Sequence, residues 1–288
     1  MKLEAIFQSK MIFQREKPIR IFGTGEGTAN ATLCGVSASS VRTEKGWLIT
    51  LPPMPAGGPY TLFLDLNGER KELNDVLIGE VFLASGQSNM EMPLFRTEGG
   101  FDEAGLAKDD EIRLYTVPRR LVDGQPNWNR HFESLYSTDT EWQKCTEDSA
   151  LHFSAIGYYF AKEMRAALGV PVGIVSCNWG GTRVESWLPE ETVRTYPDID
   201  YDTECCKKEQ TWWHYSNVTI MYNGMYYPIR NYTVKGFIWY QGESNVGKHD
   251  TYPDRFKTLV NLWRENQGCE SPVYLVELAP WLYGGDGT

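Results

Sequence analysis

Val76-Leu-Ile-Gly-Glu-Val-Phe-Leu-Ala84 is apolar at nearly every position, and it constrains the fold more than any other stretch of the chain. A strand with one wet face alternates polar and apolar residues. A run without alternation belongs to a strand buried on both faces, the mark of a parallel sheet. The same character returns in Val172-Gly-Ile-Val-Ser176, Val234-Lys-Gly-Phe-Ile-Trp-Tyr240 and Val273-Tyr-Leu-Val-Glu-Leu-Ala279. Segments of helical period lie between them. Ile156, Tyr159, Phe160, Met164, Ala167 and Leu168 form one stripe, stopped by Gly169 and Pro171. Tyr252, Phe256, Leu259, Val260 and Trp263 form another. This strand and helix order predicts an α/β fold, a parallel sheet with helices on both faces.

The residues before Val76 read differently. Pro18-Ile-Arg-Ile-Phe22 is a short strand, and no helical pattern follows Gly23-Thr-Gly-Glu-Gly27, so that glycine cluster is a turn rather than a dinucleotide fingerprint. Tyr60, Leu62, Leu64 and Leu66 share one face of a strand, and Asn67-Gly68 then predicts a hairpin. Short strands with turn signals predict a small β-sandwich over 1–75, followed by the α/β domain over 76–288.

Composition removes several functions. With 28 basic and 38 acidic residues the net charge is −10, and no basic run offers a surface for nucleic acid or anionic membranes. No apolar stretch reaches the roughly 20 residues of a membrane span. The N-terminal residues have no apolar signal core, so a cytoplasmic location is expected. The six cysteines, Cys34, Cys145, Cys177, Cys205, Cys206 and Cys269, form no CxxC pair and read as free thiols. Neither HExxH nor a carboxylate-rich loop occurs, so no metal or cofactor is expected.

The chemistry is expected at the carboxyl ends of the parallel strands, where open sheets bind ligands. The first strand runs into Ser85-Gly-Gln-Ser-Asn89, the second into Cys177-Asn-Trp-Gly-Gly-Thr182, the third into Gln241-Gly-Glu-Ser-Asn245. Glycine allows close backbone approach, and amides and backbone N–H groups at such turns stabilise an oxyanion. Ser88 is the nucleophile candidate. Its surroundings are not the G-x-S-x-G elbow of α/β-hydrolases, because Met90 stands where the second glycine would be.

Gly86-Gln-Ser-Asn-Met-Glu-Met-Pro93, Trp179-Gly-Gly-Thr-Arg-Val-Glu-Ser-Trp187 and Trp239-Tyr-Gln-Gly-Glu-Ser-Asn245 together resemble the sialate O-acetylesterase family of SGNH hydrolases, some of which deacetylate xylan and other glycans. Met11-Ile-Phe-Gln-Arg15 and Gly57-Gly-Pro-Tyr-Thr61 resemble that family's β-sandwich, so the likeness spans nearly the whole chain. It implies an SGNH-type three-layer α/β/α domain behind the sandwich, and a serine esterase acting on an acetylated carbohydrate. Ser88 would attack the acetyl carbonyl. The Ser88 N–H, the Gly181 N–H and the Gln241 amide would hold the oxyanion, with Asn245 the competing amide. Gln87 and Asn89 would bind the substrate, and Arg183 and Glu243 would brace the loops or touch sugar.

The family's general base is a histidine in a late Asp-x-x-His segment. This chain stops at Gly284-Gly-Asp-Gly-Thr288, and none of His131, His152, His214 and His249 has that context. It reads as a C-terminally incomplete member, a reading preferred to in-chain replacement of the base by His249, since a lone loop histidine is usually just solvated. The alternative is a glycan-binding protein that keeps the pocket without the base. Trp212-Trp-His-Tyr215 and the run from Tyr222 to Tyr227 read either as a sugar-stacking wall or as core. The last strand, apolar on both faces and lacking a following helix, predicts a sticky sheet edge and self-association.

Overall fold

The computed structural model describes residues 1–122, 131–133, 140–204 and 217–279. Nine strands come first: β1 (Lys2–Leu3), β2 (Ile12–Gln14), β3 (Ile19–Thr24), β4 (Ala29–Leu33), β5 (Val36–Ser39), β6 (Val41–Thr43), β7 (Gly46–Leu51), β8 (Gly57–Leu66) and β9 (Glu69–Gly86). The order β1-β3-β7-β6 makes one antiparallel sheet. Strands β5, β4, β8 and the start of β9 make the antiparallel part of a second. Ile21 and Ile49 from the first sheet and Ala31, Leu62, Leu64 and Leu66 from the second are buried in one apolar cluster. The hairpin between β8 and β9 turns at Asn67 and Gly68, both at positive φ, as their residue types predict.

Strand β9 joins the two halves of the molecule. It is exposed or half-buried from Glu69 to Asp75 and buried at every residue from Val76 to Gly86. Leu66 pairs with Glu69 at the hairpin end, whereas Ala84 pairs with Ser176 and Ile238 at the other. The division at 75/76 therefore falls inside one continuous strand, at the point where its burial changes.

The remaining strands are β10 (Asp109–Thr116), β11 (Arg120–Val122), β12 (His131–Glu133), β13 (Gln143–Cys145), β14 (Val172–Asn178), β15 (Gly236–Tyr240) and β16 (Val273–Leu275). Parallel pairing runs β10-β14-β9-β15-β16, with β13 antiparallel on the β10 edge. Helices α1 (Ser88–Glu91), α2 (Gly100–Gly105), α3 (Glu147–His152), α4 (Ala155–Leu168), α5 (Glu190–Val193), α6 (Tyr201–Glu204) and α7 (Tyr252–Gln267) flank these strands. Alternate residues of β9 go to opposite faces. Phe82 and Ala84 pack with Met90, Ala150, Tyr158 and Ala161. Val81 and Leu83 share the other cluster with Trp187, Leu259 and Trp263. The fold is a mixed α/β architecture rich in sheet.

Two expectations need correction, and one open choice is settled. Helix α4 spans the predicted residues, with Ser154 capping its start and Gly169 its end; Ile156, Phe160 and Met164 of the predicted stripe pack half-buried on the core, but the fully buried residues are Ala155, Gly157, Tyr158 and Ala161, while Tyr159 and Leu168 are exposed. The small residues win because they let the helix lie close on β14: a Cβ at Gly157 would stand 3.2 Å from Ile174 Cγ2. The last strand is shorter than 273–279. After Val276 donates to the Trp239 carbonyl the ladder stops, and as an edge strand β16 leaves Tyr274 and Leu275 exposed. The Tyr222–Tyr227 run is core rather than a sugar wall, since Tyr222 and Tyr226 are buried and Tyr226 packs on Trp263. Trp212 to Tyr215, Cys205 and Cys206 lie outside the described residues. Among the described residues, no helix is long and apolar enough to cross a membrane, and no cluster of potential metal ligands occurs.

Candidate active site

The strand order decides where the three polar loops meet. Strand β9 lies between β14 and β15, so its carboxyl end is flanked by theirs: Asn178 and Tyr240 both pair with Gly86. Gly86 takes φ 143°, and a Cβ there would sit 2.0 Å from the Tyr240 carbonyl oxygen. Only glycine fits, and the turn it makes lifts the next residues out of the sheet. Gln87 N–H then donates to the Tyr240 carbonyl at 3.0 Å, and Trp179 N–H to the Gly86 carbonyl at 3.1 Å. These bonds lock the neighbouring loops to the base of the first.

Ser88 opens α1 and is exposed, whereas Gln87 before it and Met90 after it are buried. The short helix cannot hold itself; burial of Met90, about 2 kcal/mol for such a side chain, seats it. The Ser154 hydroxyl donates to the Met90 carbonyl at 2.6 Å and accepts from Gly157 N–H at 3.1 Å, tying α1 to the start of α4. Ser88 is thus an exposed hydroxyl on a buried pedestal.

The second loop leans against it. A Cβ at Gly180 would lie 3.3 Å from Ser88 Cβ, so glycine permits the approach. Gly180 N–H donates to Glu91 Oε2 at 2.6 Å, and the other oxygen of Glu91 pairs with Arg119, whose guanidinium stands 5.2 Å from the Trp179 ring centre. Gly181, at φ 76°, follows with an N–H that has no acceptor among the described residues. Glu91 went unassigned in the sequence; its place three residues after Ser88, inside the first motif, was the available signal.

The third loop is mostly bracing. Gln241 is buried, and its Nε2 donates to Gln87 Oε1 at 3.1 Å, the Thr182 carbonyl at 3.1 Å and Asn245 Oδ1 at 2.7 Å. Three acceptors around one amide nitrogen settle its orientation. Asn245 is buried too: Oδ1 also accepts Val184 N–H at 3.0 Å, and Nδ2 donates to Glu185 Oε2 at 3.0 Å. Glu185 and Arg255 form a fully buried ion pair that continues to Asp198. Burial works against the Arg255 charge, but these two carboxylates outweigh it and hold its pKa above the usual value. Beneath Gln241, Tyr252 donates to the Gln241 carbonyl at 3.0 Å. Burial pushes its phenol up to about 12, so it stays a neutral donor.

The other candidate residues are spread around the rim. Asn89 Nδ2 donates to Glu243 Oε1 at 2.5 Å, joining the first loop to the third, while Glu243 Oε2 is buried with no hydrogen-bond partner among the described residues. Arg183 pairs with Glu204 at 2.6 Å. His249 is 84% exposed and its Nε2 lies 3.2 Å from Asp250, away from any described contact with Ser88. His152, 63% exposed, sits beside Phe95. His214 and residues 280–288 lie outside the described residues, as does the His131 side chain.

The chain that carries this exposed serine at the end of a central parallel strand has relatives. Residues 78–285 match the family model described as carbohydrate esterase, sialic acid-specific acetylesterase. Sialate O-acetylesterases from Pongo abelii and Homo sapiens are each 28% identical to this chain over 291 residues, covering 92% of it and 53% of their own length. The chain thus spans about half the length of those curated relatives. The solved structure of a carbohydrate acetylesterase from Xanthomonas citri superimposes with a TM-score of 0.77 at 30% identity, over 95% of this chain and 59% of that one. With a family match across more than two thirds of its residues, this chain belongs to the sialic acid-specific acetylesterase family of carbohydrate esterases.

Proposed function

We propose that this chain is a carbohydrate O-acetylesterase, hydrolysing acetyl esters on sialic acid or other glycans with Ser88 as nucleophile. The observation that carries the reading is Ser88 itself: exposed at the end of a buried central strand, with Gly180 packed against it. In this reading the Ser88 oxygen adds to the acetyl carbonyl as its proton passes to a base. The oxyanion so formed is held by the N–H groups of Ser88 and Gly181. The sugar oxygen then leaves with that proton, giving acetyl-Ser88. Water then adds to the acyl group as one of its protons passes to the base, acetate departs, and that proton goes to the Ser88 oxygen.

Gln241 and Asn245 enter this reading as braces. Their amide nitrogens are given to Gln87, Thr182, Asn245 and Glu185 instead of to the crevice. Asn89 and Glu243, joined across the loops at the rim, are the groups we assign to the sugar hydroxyls. We assign the domain structure in the same way, as a β-sandwich packed on an SGNH-type three-layer domain. The exposed Tyr274 and Leu275 support self-association along β16, which light scattering would test.

The test is acetate release from O-acetylated sialic acid and from acetylated xylan, together with labelling by a fluorophosphonate. The expected result is release from at least one substrate and labelling of Ser88, both lost in Ser88→Ala. Labelling at Ser85 or Ser244 would overturn the assignment. Glycan binding without release would move the chain to the non-catalytic reading.

A further inference from the structure

Gln87 immediately precedes Ser88, yet its side chain turns into the protein and is 3% exposed. Its Oε1 accepts from three donors of the loop after β15: Gln241 Nε2 at 3.1 Å, Gly242 N–H at 3.4 Å and Ser244 N–H at 3.1 Å. Two backbone N–H groups converging on one atom fix that atom as oxygen, since an amide nitrogen there would face donors with a donor. The restraint does not stop at the third loop. Gln241 Nε2 passes it to the Thr182 carbonyl in the second loop, and through Asn245 Oδ1 to the Val184 N–H. One oxygen, a single residue from the nucleophile, therefore anchors both neighbouring loops. On the opposite side of Ser88, Glu91 does the like for Gly180 N–H.

We propose that Gln87 is a positioning residue rather than a substrate contact: its Oε1 is the common acceptor that holds the Gly242–Ser244 turn, and through Gln241 the Thr182 end of the Gly181 loop, in register with Ser88. The proposal rests on the reading of Ser88 as nucleophile. A crevice whose donors must meet an oxyanion to within a fraction of an ångström depends on such anchoring. A displacement of about 1 Å costs on the order of 100-fold in rate.

The test compares Gln87→Leu, which removes the acceptor at similar volume, with Gln87→Glu, which keeps an acceptor oxygen in either protonation state. Two readouts are taken: acetate-release kinetics, and amide hydrogen exchange of the Gly242–Ser244 peptide. In Gln87→Leu, kcat should fall about 10- to 100-fold at unchanged KM. Exchange at Gly242 and Ser244 should rise about tenfold, the effect of one lost hydrogen bond. Gln87→Glu should recover most of both. A rise in KM at unchanged kcat would make Gln87 a substrate contact. Unaltered exchange in Gln87→Leu, or a Gln87→Glu protein as impaired as the leucine variant, would overturn the acceptor role. Should Gln87→Leu fail to fold, the same exchange and kinetics on Gln87→Glu decide: wild-type-like values support the acceptor role and leucine-like loss refutes it. Should the wild-type chain release no acetate, the esterase reading is what fails, and exchange alone decides the role of Gln87.

Discussion

At the end of β9 the quartet Gly86-Gln-Ser-Asn89 leaves Ser88 exposed and Asn89 half-buried at the rim. At the end of β15 the quartet Gly242-Glu-Ser-Asn245, differing only in Glu243 for Gln87, half-buries Ser244 and turns Asn245 fully inward. The residues are nearly the same, the strands are neighbours, and the outcomes are opposite. After β9 the chain enters a helix seated by Met90, which lifts Ser88 to the surface. After β15 the Ser244 N–H meets an acceptor in Gln87, and the Asn245 amide is taken up by the Val184 N–H and the Glu185 carboxylate. One loop presents its serine hydroxyl to solvent, and the other ties its side chains into the neighbouring loops.

The sharpest break of this contrast is to exchange the two serines' fates. Where a general base serves Ser88, Ser88→Ala should lower acetate release by about six orders of magnitude, the scale seen when a serine nucleophile is removed, whereas Ser244→Ala should leave it nearly intact. Comparable losses from both would mean that the third loop also touches the reacting centre.

Next in size is Arg255→Met. It strands Glu185, 0% exposed, without its cation. Removing one partner of such a pair costs about 3–5 kcal/mol, and urea denaturation should show it. A loss below about 1 kcal/mol would show that the β15 side is not the rigid one.

Asn245→Ala is expected to cost less, about 1–3 kcal/mol, because it leaves Glu185 Oε2 and the Val184 N–H each short of a hydrogen bond. Stability should fall along with kcat. A fall in kcat of about 100-fold with full stability retained would instead identify Asn245 as an oxyanion donor.

The smallest effect concerns pH. The hydrogen bond from Arg255 holds the Asp198 carboxyl below its usual pKa. A carboxylate with a depressed folded pKa contributes stability above its unfolded pKa, about 3.9, and loses it as pH falls through the folded value. Asp198 is 44% exposed and screened by water, so its share is at most about 1 kcal/mol. Asp198→Asn should therefore be slightly less stable than wild type at pH 7. The gap should close as both are acidified below pH 4 in parallel thermal melts. A gap that persisted at low pH would mean that the ion pair is not its cause.

Much of this site can be read along the chain. The apolar run from Val76 to Ala84 marks a buried parallel strand because burial on both faces removes alternation, and β9 is buried from Val76 onward. Asn67-Gly68 and the ends of α4 are equally legible, since turns and caps depend on the φ values a residue tolerates. Less legible was the buried face of α4, where Gly157 and Ala161 displace larger apolar residues because β14 lies too close for them. Glu91, Glu185 and Arg255 escaped notice because a charged residue in a sequence reads as solvated unless its partner is known, and theirs come from other elements.

Local residue types determined where strands, turns and helix ends fall, and that three glycine-bearing polar loops follow buried strands, because periodicity and backbone tolerance are properties of neighbours in sequence. Only the tertiary structure decided that β9 lies between β14 and β15 and so draws those loops together. It alone decided which of two similar quartets shows its serine, and it set acceptors from neighbouring loops around the Gln241 and Asn245 amides. Such choices rest on what stands across the crevice: a side-chain amide bonds to whatever the fold sets within about 3 Å of it, and no local pattern encodes that.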